Sequence, residues 1–529
     1  MHALTGNNKK SVIIMTTRRK DVAEKVGGSF ELKALTRESS KKLFYKRLYG
    51  SEYQSDHSQF SEVSEKILDK CGGVPLAIIT MSSLLATNKE NIGLWTKVCE
   101  SIGSGLGTGR EIVEMRTILR LSYYDLPPYL KTCMLYLSIF PEDYVVRKDR
   151  LIWRWIAEDI VKNDRNKSDQ FEAGVGYFNE LINRGMIQPV SMDKEGNPQA
   201  CRVHDIMLDV ISELSRDENF VMMPADDIEQ QSQSSGTKAR RLSLQITTDG
   251  ATPTMSELSQ VRSFTGFSPA TGSVPCLSDF RLLRVLDLEG CSIRENGSLD
   301  LRHVKKLLHL RYLGLRNTHN DVVPEEVGKL QYLEVLDIEV SQVRQKDFQI
   351  LGSMPTLRFL YLHFWSESTE EHPLEKFTVS GGAFPSLRGC RLSNFVMVPS
   401  MIQQGAMPKL EFLSFCLRPL DFCNDTFDAS DLALKHLQSL KAVAVKFLYD
   451  RSRPNEAMQM RRKIKFAMMQ SKAERMLMQA AHVHPSHPVV SSEGYEGSIN
   501  DSRRCIHHIQ ISTLVHSIFV FCFLIANCN

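Results

Sequence analysis

The chain has 529 residues, of which 42% are hydrophobic and 24% charged, and 65 basic against 62 acidic residues give a net charge of +3. This length predicts about three or four domains, and the composition is that of a soluble globular protein. A charge so close to balance excludes a general electrostatic attraction to nucleic acid or to an anionic membrane. The twelve cysteines form no CxxC pair and no Cys/His cluster at zinc-ligand spacing, which indicates buried or idle thiols in a reducing compartment.

The N-terminal residues carry the first sign of how the chain is organised. Residues 1–10 lack the apolar segment of a secretory signal, so the cytoplasm is the expected location, with the nucleus as an alternative. Residues 11–17 are an apolar run that ends in hydroxyls, which predicts a buried parallel strand. Its neighbours in such a sheet are missing from the sequence, so we expect an N-terminal truncation.

Helical patterns follow. Thr36 is expected to cap a helix that runs to about Leu48, and a second helix from about Gln59 to Lys70 is expected to stop at the glycines 72–73. Pro75 then falls in the first turn of the next helix, where its missing N–H costs nothing. Further helices are predicted at 112–121, 129–140, 147–161 and 171–184, and strands at 186–191 and 200–204 flank a turn at 195–198. Helices followed by a small hairpin indicate a winged-helix arrangement.

A repeat of the form L-x-x-L-x-L occupies the second half of the chain. Its first leucines stand at positions 283, 310, 333, 357, 387, 410 and 440, so successive copies are separated by 23 to 30 residues. This spacing is typical of leucine-rich repeats, which stack into a curved solenoid. Residues 451–481 are rich in Met and basic side chains and are predicted to be a helical cap over the last repeat. The apolar run 511–526 would span ~24 Å as a helix, short of the ~30 Å hydrocarbon core, so we expect an out-of-family extension, with a tail anchor preceded by Arg503 and Arg504 as the alternative.

Six segments, in this order, resemble the motifs of plant intracellular disease-resistance receptors, the nucleotide-binding, leucine-rich-repeat family of the cereal-like coiled-coil type. Ser11–Arg18 resembles the strand with the sensor arginine, Cys71–Ala77 the glycine-leucine-proline-leucine motif, and Cys133–Asp143 the opening of the winged-helix part. Val203–Asp205 resembles the methionine-histidine-aspartate motif, with Val203 in place of methionine, while 240–245 and 484–489 resemble the entry and the end of the repeat domain.

The resemblance covers roughly residues 1–490 and implies a multidomain fold that combines α/β, helical, winged-helix and repeat parts. The implied domains are 1–32, a remnant of the α/β nucleotide-binding domain; 33–108, a helical domain; 109–218, the winged-helix domain; 219–240, a linker; 241–450, an α/β leucine-rich-repeat solenoid; 451–490, a C-terminal cap; and 491–529, an atypical tail.

The resemblance also implies roles in ADP or ATP binding for Thr17, Arg18, Pro75, Leu76 and His204. A guanidinium at the end of a strand can pair with a terminal phosphate, and an imidazole can donate to the β-phosphate of ADP. As alternatives, Arg18 would be a surface ion-pair partner, Pro75 would only mark the start of a helix, and His204 would be a structural histidine.

The sequence lacks the rest of a nucleotide site. It contains no G-x-x-x-x-G-K-S/T loop and no apolar strand that ends in paired aspartates. In phosphoryl-transfer sites the glycine-rich loop cradles the phosphates and a metal ion bridges them. We therefore expect an incomplete ADP/ATP site, no metal site and no enzymatic activity, although the resemblance implies slow ATP hydrolysis as a switch in complete receptors.

The residues interleaved with the repeat leucines predict a partner-binding surface on the concave face. One column, one place after each first leucine, is mostly basic, and the next column holds three aromatic side chains; both types are common at binding hot spots. The predicted contact residues are Arg284, Arg311, Tyr312, Arg358, Phe359, Tyr361, Arg388 and Phe412. A solvated charged face with scattered aromatics is the alternative.

Three functions remain open from the sequence. The first is a plant innate immune receptor that switches on ADP/ATP exchange and senses effectors through its repeats. The second is a truncated, nucleotide-free regulatory or decoy fragment that acts only by protein binding. The third, a winged-helix nucleic-acid binder using 451–475, is opposed by the near-zero net charge. Expected partners are a pathogen effector, a guarded host protein, the missing N-terminal half or another receptor of the family, without nucleic acid or membrane.

Overall fold

The computed structural model describes two structural regions, a helical N-terminal region with a small hairpin sheet and a parallel sheet built from repeats. The described residues are 12–17, 29–31, 33–50, 58–87, 89–101, 111–162, 170–193, 195–223, 240–245, 258–267, 275–291, 301–364, 378–396, 402–417, 436–447 and 520–525. The predicted cap 451–490 and most of the predicted linker lie outside them. Met222 of that linker pairs with the first strand of the repeat sheet, accepting the N–H of Ser243 at 3.0 Å.

The N-terminal region begins with four helices, of which the first three begin or end where their capping residues predict and the fourth was not predicted. They are α1 Arg37–Tyr49, α2 Ser58–Lys70, α3 Pro75–Ala86 and α4 Ile92–Ser101. The Oγ1 of Thr36 accepts the N–H of Ser39 at 3.3 Å, which confirms this cap. Gly72 and Gly73 have φ of 56° and 72° and end α2, also as predicted. Pro75 opens α3, a helix with ten of its twelve residues buried, so α3 is the centre of this helical core.

The next elements form the winged-helix arrangement that the sequence predicts. They are α5 Glu111–Asp125, α6 Pro128–Leu137, β3 Val146–Arg147, α7 Lys148–Ala157, α8 Gln170–Asn183, β4 Gln188–Met192, β5 Pro198–Arg202 and α9 Asp205–Asp217. The strands pair antiparallel in the order β3-β5-β4. The carboxylate of Asp193 accepts the N–H groups of Glu195 and Asn197 at 3.0 and 2.7 Å and so closes the hairpin turn. The two-residue strand β3 is too short to show an alternating pattern and was not predicted, and the helix α9 was not predicted either.

The repeats form one parallel sheet, in chain order. Its strands are β6 Arg241–Leu244, β7 Ser263–Gly266, β8 Val285–Asp287, β9 Tyr312–Asn320, β10 Val335–Val340, β11 Phe359–Phe364, β12 Gly389–Val396, β13 Phe412–Leu417 and β14 Ala442–Phe447. The seven predicted repeats correspond to β8–β14 and are confirmed. The sheet has two more strands, β6 and β7, at its N-terminal edge. The copy at β7 was missed because Val261, Phe264 and Gly266 replace its three leucines.

The buried side chains form two cores, and one of them crosses between the two regions. The repeat leucines, such as Leu286, Leu313 and Leu336, are fully buried between strands and the convex side. The helical and winged-helix core instead continues onto the concave face of the repeats. It includes the following residues of that face: Phe267, Val285, Tyr312, Val335 and Tyr361.

The prediction of a parallel strand at 11–17 is wrong in direction. The strand β1, Val12–Thr17, pairs antiparallel with β15, Val520–Ile525, which in turn pairs with β2, Ser29–Glu31. A continuous apolar run indicates burial on both faces but not the direction of the neighbouring strand, which here comes from the apolar tail. Among the described residues, no helix is both long and apolar enough to cross a membrane.

Gly73 offers a test of the junction between α2 and α3. A Cβ at Gly73 would lie 2.5 Å from the carbonyl oxygen of Leu35, and its φ is +72°. We expect Gly73→Ala to lower the free energy of unfolding by about 2–4 kcal/mol, because backbone strain and a clash with main-chain atoms add together. Urea unfolding followed by circular dichroism measures the change.

Gly50→Ala is the matched control, since Gly50 has φ of +98° but nothing within 4 Å of the added Cβ. This variant should lower the free energy of unfolding only through backbone strain, by about 1 kcal/mol. Equal losses for the two variants would show that the contact with Leu35 contributes nothing.

Candidate functional site

The helix α7 carries a row of arginines that faces the concave surface of the repeats. Arg147, which precedes α7, and Arg150 and Arg154 within it are three and four residues apart, so their side chains lie on one side of the helix. From Arg150 to Ala157 every side chain of α7 is buried. Its aliphatic side chains face the winged-helix core, whereas the arginines and Trp153 face the repeats.

The carboxylate of Asp287, at the end of β8, is the centre of the contact. Its Oδ2 accepts a hydrogen bond from Nε of Arg150 at 2.8 Å and from Nη1 of Arg154 at 2.7 Å. Asp287 and Arg154 are fully buried, and Arg150 nearly so. Arg154 also donates to the hydroxyls of Thr265 at 2.6 Å and Tyr136 at 3.1 Å, so each of its nitrogens has a partner.

The charges at this contact balance one another. Burial alone would raise the pKa of the Asp287 carboxyl, but Arg150 and Arg154 outweigh burial and hold its pKa below the usual range. Burial alone would lower the pKa of the Arg150 guanidinium, but Asp287 and Glu289 raise it well above its ordinary value. Asp287, Arg150 and Arg154 therefore carry their charges, and the contact is a buried ion-pair cluster.

A second carboxylate, Asp337 on β10, extends the cluster. Its Oδ2 pairs with Arg147 at 2.6 Å, and its Oδ1 lies 3.0 Å from Nε2 of His363. Burial acts to raise the pKa of Asp337, but the nearby Arg147 and His363 lower it far below its usual range. Asp337 thus joins the winged-helix domain to two adjacent strands of the repeats.

Aromatic side chains form the apolar part of the same contact. The ring of Trp153 packs 4.1 Å from that of Phe359, centre to centre, and its indole N–H donates to the hydroxyl of Tyr361 at 3.3 Å. On the other side, Phe267 makes edge contacts with Phe140 and Tyr144. These contacts exclude water from the buried charges, which strengthens their attraction.

The rim of the contact is also charged but more exposed. Asp159, just after α7, has a positive φ of 59° and pairs through its two carboxylate oxygens with Arg284 and with Arg311, the latter at 2.6 Å. The exposed pairs of Asp159 contribute less than the buried cluster, since water and salt screen them. Glu158 pairs with Arg241 at 2.7 Å, and this pair is largely buried, with side chains 1% and 12% exposed.

Sequence reasoning missed the column that holds these aspartates. The residue before the last leucine of each repeat also faces the concave surface, and this column reads Asp287, Gly314, Asp337, Tyr361, Arg391. A Cβ at Gly314 would lie 2.8 Å from Oδ1 of Asp287, so the glycine leaves room for the carboxylate. Two aspartates in an otherwise buried column, together with the arginine row of α7, are the signal from which this contact could have been predicted.

The predicted partner surface divides into an occupied and an open part. Arg284 and Arg311 pair with Asp159, Tyr312 and Tyr361 are buried, and Phe359 packs on Trp153. In this arrangement those five contact the chain's own winged-helix domain, so they are not available to an outside partner. The open part is Arg358 and Arg388, 46% and 41% exposed, next to a half-buried Phe412. Use of this surface by a partner stays a prediction.

The residues implied in nucleotide binding lie in separate elements. Pro75 and Leu76 are buried in the first turn of α3. His204 is 9% exposed and caps α9, its Nδ1 accepting the N–H of Ile206 at 3.4 Å. The helix α5 packs against both α3 and α9 and so joins them. The backbone of Thr17 ends β1, while Arg18 lies outside the described residues.

An acidic group lies beside His204. Oxygens of Glu142, Asp143 and Asp205 are within 4.8 Å of one another, and Asp143 pairs with Arg202 at 3.3 Å. Such exposed acidic groups are common without a metal ion, so we assign no metal to this one.

Comparison with known proteins gives consistent matches to both regions. Residues 139–211 match the family described as Disease resistance protein Winged helix domain, and residues 260–340 and 333–490 match the one described as Leucine-rich repeat region. Disease resistance protein RGA5 of Oryza sativa subsp. japonica is 38% identical over 330 residues, which cover 61% of this chain and 29% of that protein. Disease resistance protein Pik-2 of the same organism is 34% identical over 354 residues, which cover 64% and 34%.

A relative from another plant agrees. Putative disease resistance RPP13-like protein 3 of Arabidopsis thaliana is 30% identical over 343 residues, which cover 63% of this chain and 39% of that protein. The chain therefore spans about a third of the length of these curated relatives. A leucine-rich-repeat protein of Leptospira interrogans, LIC12759, superposes with a TM-score of 0.24 at 16% identity over 40% of this chain and 56% of that chain, which is too low to support an argument.

Removing the central charge should release α7 from the repeats. We expect Asp287→Asn to destabilise the docked arrangement by about 3–5 kcal/mol, because it leaves the buried Arg154 without its counter-charge and Arg150 with Glu289 alone. Hydrogen–deuterium exchange, measured on peptides spanning 148–157, should show faster exchange in the variant.

Asp159→Asn is the matched control. It makes the same chemical change at a residue whose side chain is 54% exposed, and the expected cost is below about 1 kcal/mol. If the two variants exchange alike over 148–157, the buried cluster is not what holds α7.

Proposed function

The chain belongs, by its winged-helix domain and its leucine-rich repeats, to the plant disease-resistance proteins, and from this premise we propose that it acts in plant innate immunity as the switching and sensing part of an intracellular receptor. The observation that carries the proposal is the docking of α7 on the concave face of the repeats. Through this contact a protein bound by the repeats is mechanically linked to the winged-helix domain.

The link follows from competition for the concave surface. A partner that binds Arg358, Arg388 and Phe412 meets Phe359 and Tyr361 on β11, the strand that follows Arg358, and these two contact Trp153. A partner that extends this far can bind fully only if α7 moves. A ligand shifts such an equilibrium by its difference in affinity for the two states, so partner binding here favours the undocked winged-helix domain.

We propose a pathogen effector or a guarded host protein as the partner, in the cytoplasm. The open part of the surface combines two arginines with an aromatic ring, and Arg391 stacks 6.0 Å from the centre of that ring. Arginine and aromatic side chains supply most of the binding energy at protein interfaces. Binding of another receptor of the family would use the same surface.

Complementation of a plant that lacks the gene tests the proposal. We expect the double variant Arg358→Glu and Arg388→Glu to lose most of the disease resistance that the wild-type gene restores, because the charge reversal opposes partner docking without touching α7. Resistance is measured as pathogen growth in infected leaves, with protein levels compared by immunoblot.

The control reverses two charges on the other side of the repeats, Lys305→Glu and Lys306→Glu, both exposed. It should restore resistance as the wild type does. Full resistance from the concave variant, at equal protein level, would refute a sensing role for this surface.

We further propose that the complete receptor switches by exchanging ADP for ATP. Pro75 and Leu76 would contribute an apolar wall and a helix N-terminus, and His204 a hydrogen bond to a phosphate, with Thr17 and Arg18 beside it. Support comes from the packing of α5 against both α3 and α9, which connects the elements that carry Pro75 and His204. Without a glycine-rich phosphate loop in the sequence, most of the binding free energy is missing, and we propose that this chain neither binds nucleotide appreciably nor hydrolyses it.

Isothermal titration calorimetry of the full chain with ADP tests the incomplete site. We expect no binding heat at micromolar concentrations, because the phosphates lack their principal N–H donors. Titration with ATP and Mg²⁺ should likewise give no binding heat. One ADP bound per chain with micromolar affinity would overturn the proposal and show that the residues present suffice.

A regulatory or decoy fragment is the second candidate function. It is favoured by the continuous core between the winged-helix domain and the repeats, which forms from residues of this chain alone. Such a fragment would act only through protein binding on the open concave surface.

A further inference from the structure

A ladder of four arginines runs along the N-terminal edge of the concave face. Arg240, Arg262, Arg284 and Arg311 occupy the same position in four consecutive repeats. Main-chain hydrogen bonds fix them side by side, since each arginine carbonyl accepts the N–H of the next arginine at 2.7 to 2.8 Å. Strands of one sheet are about 4.8 Å apart, so the guanidinium groups form closely spaced rungs.

Two rungs already hold a carboxylate. Asp159 places one carboxylate oxygen on Arg284 and the other on Arg311, so a single acidic side chain bridges adjacent rungs. This contact shows how the ladder binds an acid, because a carboxylate offers two oxygens at a spacing that suits two neighbouring guanidinium groups.

The other two rungs lack such a partner. In the part of the chain that the structure describes, neither Arg240 nor Arg262 makes an ion pair, and Arg240 is exposed. Partial burial, followed by the like charges of Arg240, Arg284 and Arg241, lowers the pKa of Arg262 against the opposing effect of Glu158, so the neighbouring arginines repel it. An acidic group placed between the two arginines would relieve this repulsion, as Asp159 does for the neighbouring pair.

We propose that Arg240 and Arg262 form a docking site for a carboxylate-rich segment of a partner protein, held between the two rungs as Asp159 is held between the next two. The site is distinct from the proposed sensing surface around Arg358 and Arg388, and it does not depend on that proposal. Nucleic acid is disfavoured, because the ladder ends at Glu334 in the fifth repeat and offers no long basic track for a phosphate backbone.

Fluorescence anisotropy with a fluorescein-labelled deca-glutamate peptide tests the site on the full chain. We expect binding that weakens with added salt and that falls about tenfold in the double variant Arg240→Gln and Arg262→Gln, since two charge-assisted contacts are lost. The matched control, Lys305→Gln and Lys306→Gln, removes the same charge from exposed residues elsewhere on the repeats and should bind as the wild type does.

Three results would overturn the proposal. Unchanged binding in the arginine variant would place the peptide elsewhere, and an equal loss in both variants would mean attraction to overall charge only. Displacement of the peptide by inorganic tripolyphosphate at a lower concentration than by unlabelled deca-glutamate would reassign the site to phosphate. Circular dichroism with unchanged thermal unfolding confirms that the variants are folded.

Discussion

The carboxylate of Asp287, fully buried and shared by Arg150 and Arg154, is the interaction on which the arrangement of the two regions depends. Removing charges from water is costly, and a buried ion pair repays that cost only when its geometry is good and its remaining donors are satisfied. Thr265 and Tyr136 satisfy the remaining donors of Arg154, and Gly314 leaves space for the carboxylate, whereas Nη2 of Arg150 is buried without a hydrogen-bond partner. If α7 rotated or shifted on the repeats, buried charges would lose their partners. The main effect of the cluster is therefore to fix one docking position, and its net contribution to stability is smaller.

The helix α7 can serve two neighbours because its faces differ. Leu151, Ile152 and Ile156 belong to the core of the winged-helix domain, whereas its arginines contact the repeats. Trp153 lies between the two and packs on Phe359. Loosening the contact with the repeats therefore removes the counter-charges of the arginines while the apolar anchor of the helix stays in place, which allows docking and undocking without unfolding the winged-helix domain.

Local features of the sequence predicted most of the fold. The contact between α7 and the repeats was not predicted, because it joins residues that are far apart in the sequence. Thr36, the glycine pair at 72–73 and Pro75 set helix ends within a few residues of themselves, and the leucine spacing set seven strands. The copy at β7 was missed because Phe264 fills the place of a leucine. Arg150 and Asp287 are 137 residues apart, and neither stands out from its own segment. Only the arginine row and the aspartate column considered together indicate that they meet.

The concave face therefore has an acidic and a basic part, and each part faces side chains of the opposite charge. Its centre, Asp287 and Asp337, is acidic and meets the arginines of α7, while the rungs on the N-terminal side are basic and meet Asp159. The central pairs are buried and hold the docked state, but the rim pairs are exposed and screened by salt, so they act mainly on the approach and orientation of the helix. Asp159 keeps a left-handed backbone at this rim, a strained conformation that places its carboxylate between two rungs. An acidic partner segment on Arg240 and Arg262 would lie beside Asp159, which holds the next two arginines, and the repulsion between the two acidic groups would weaken the rim before the buried cluster.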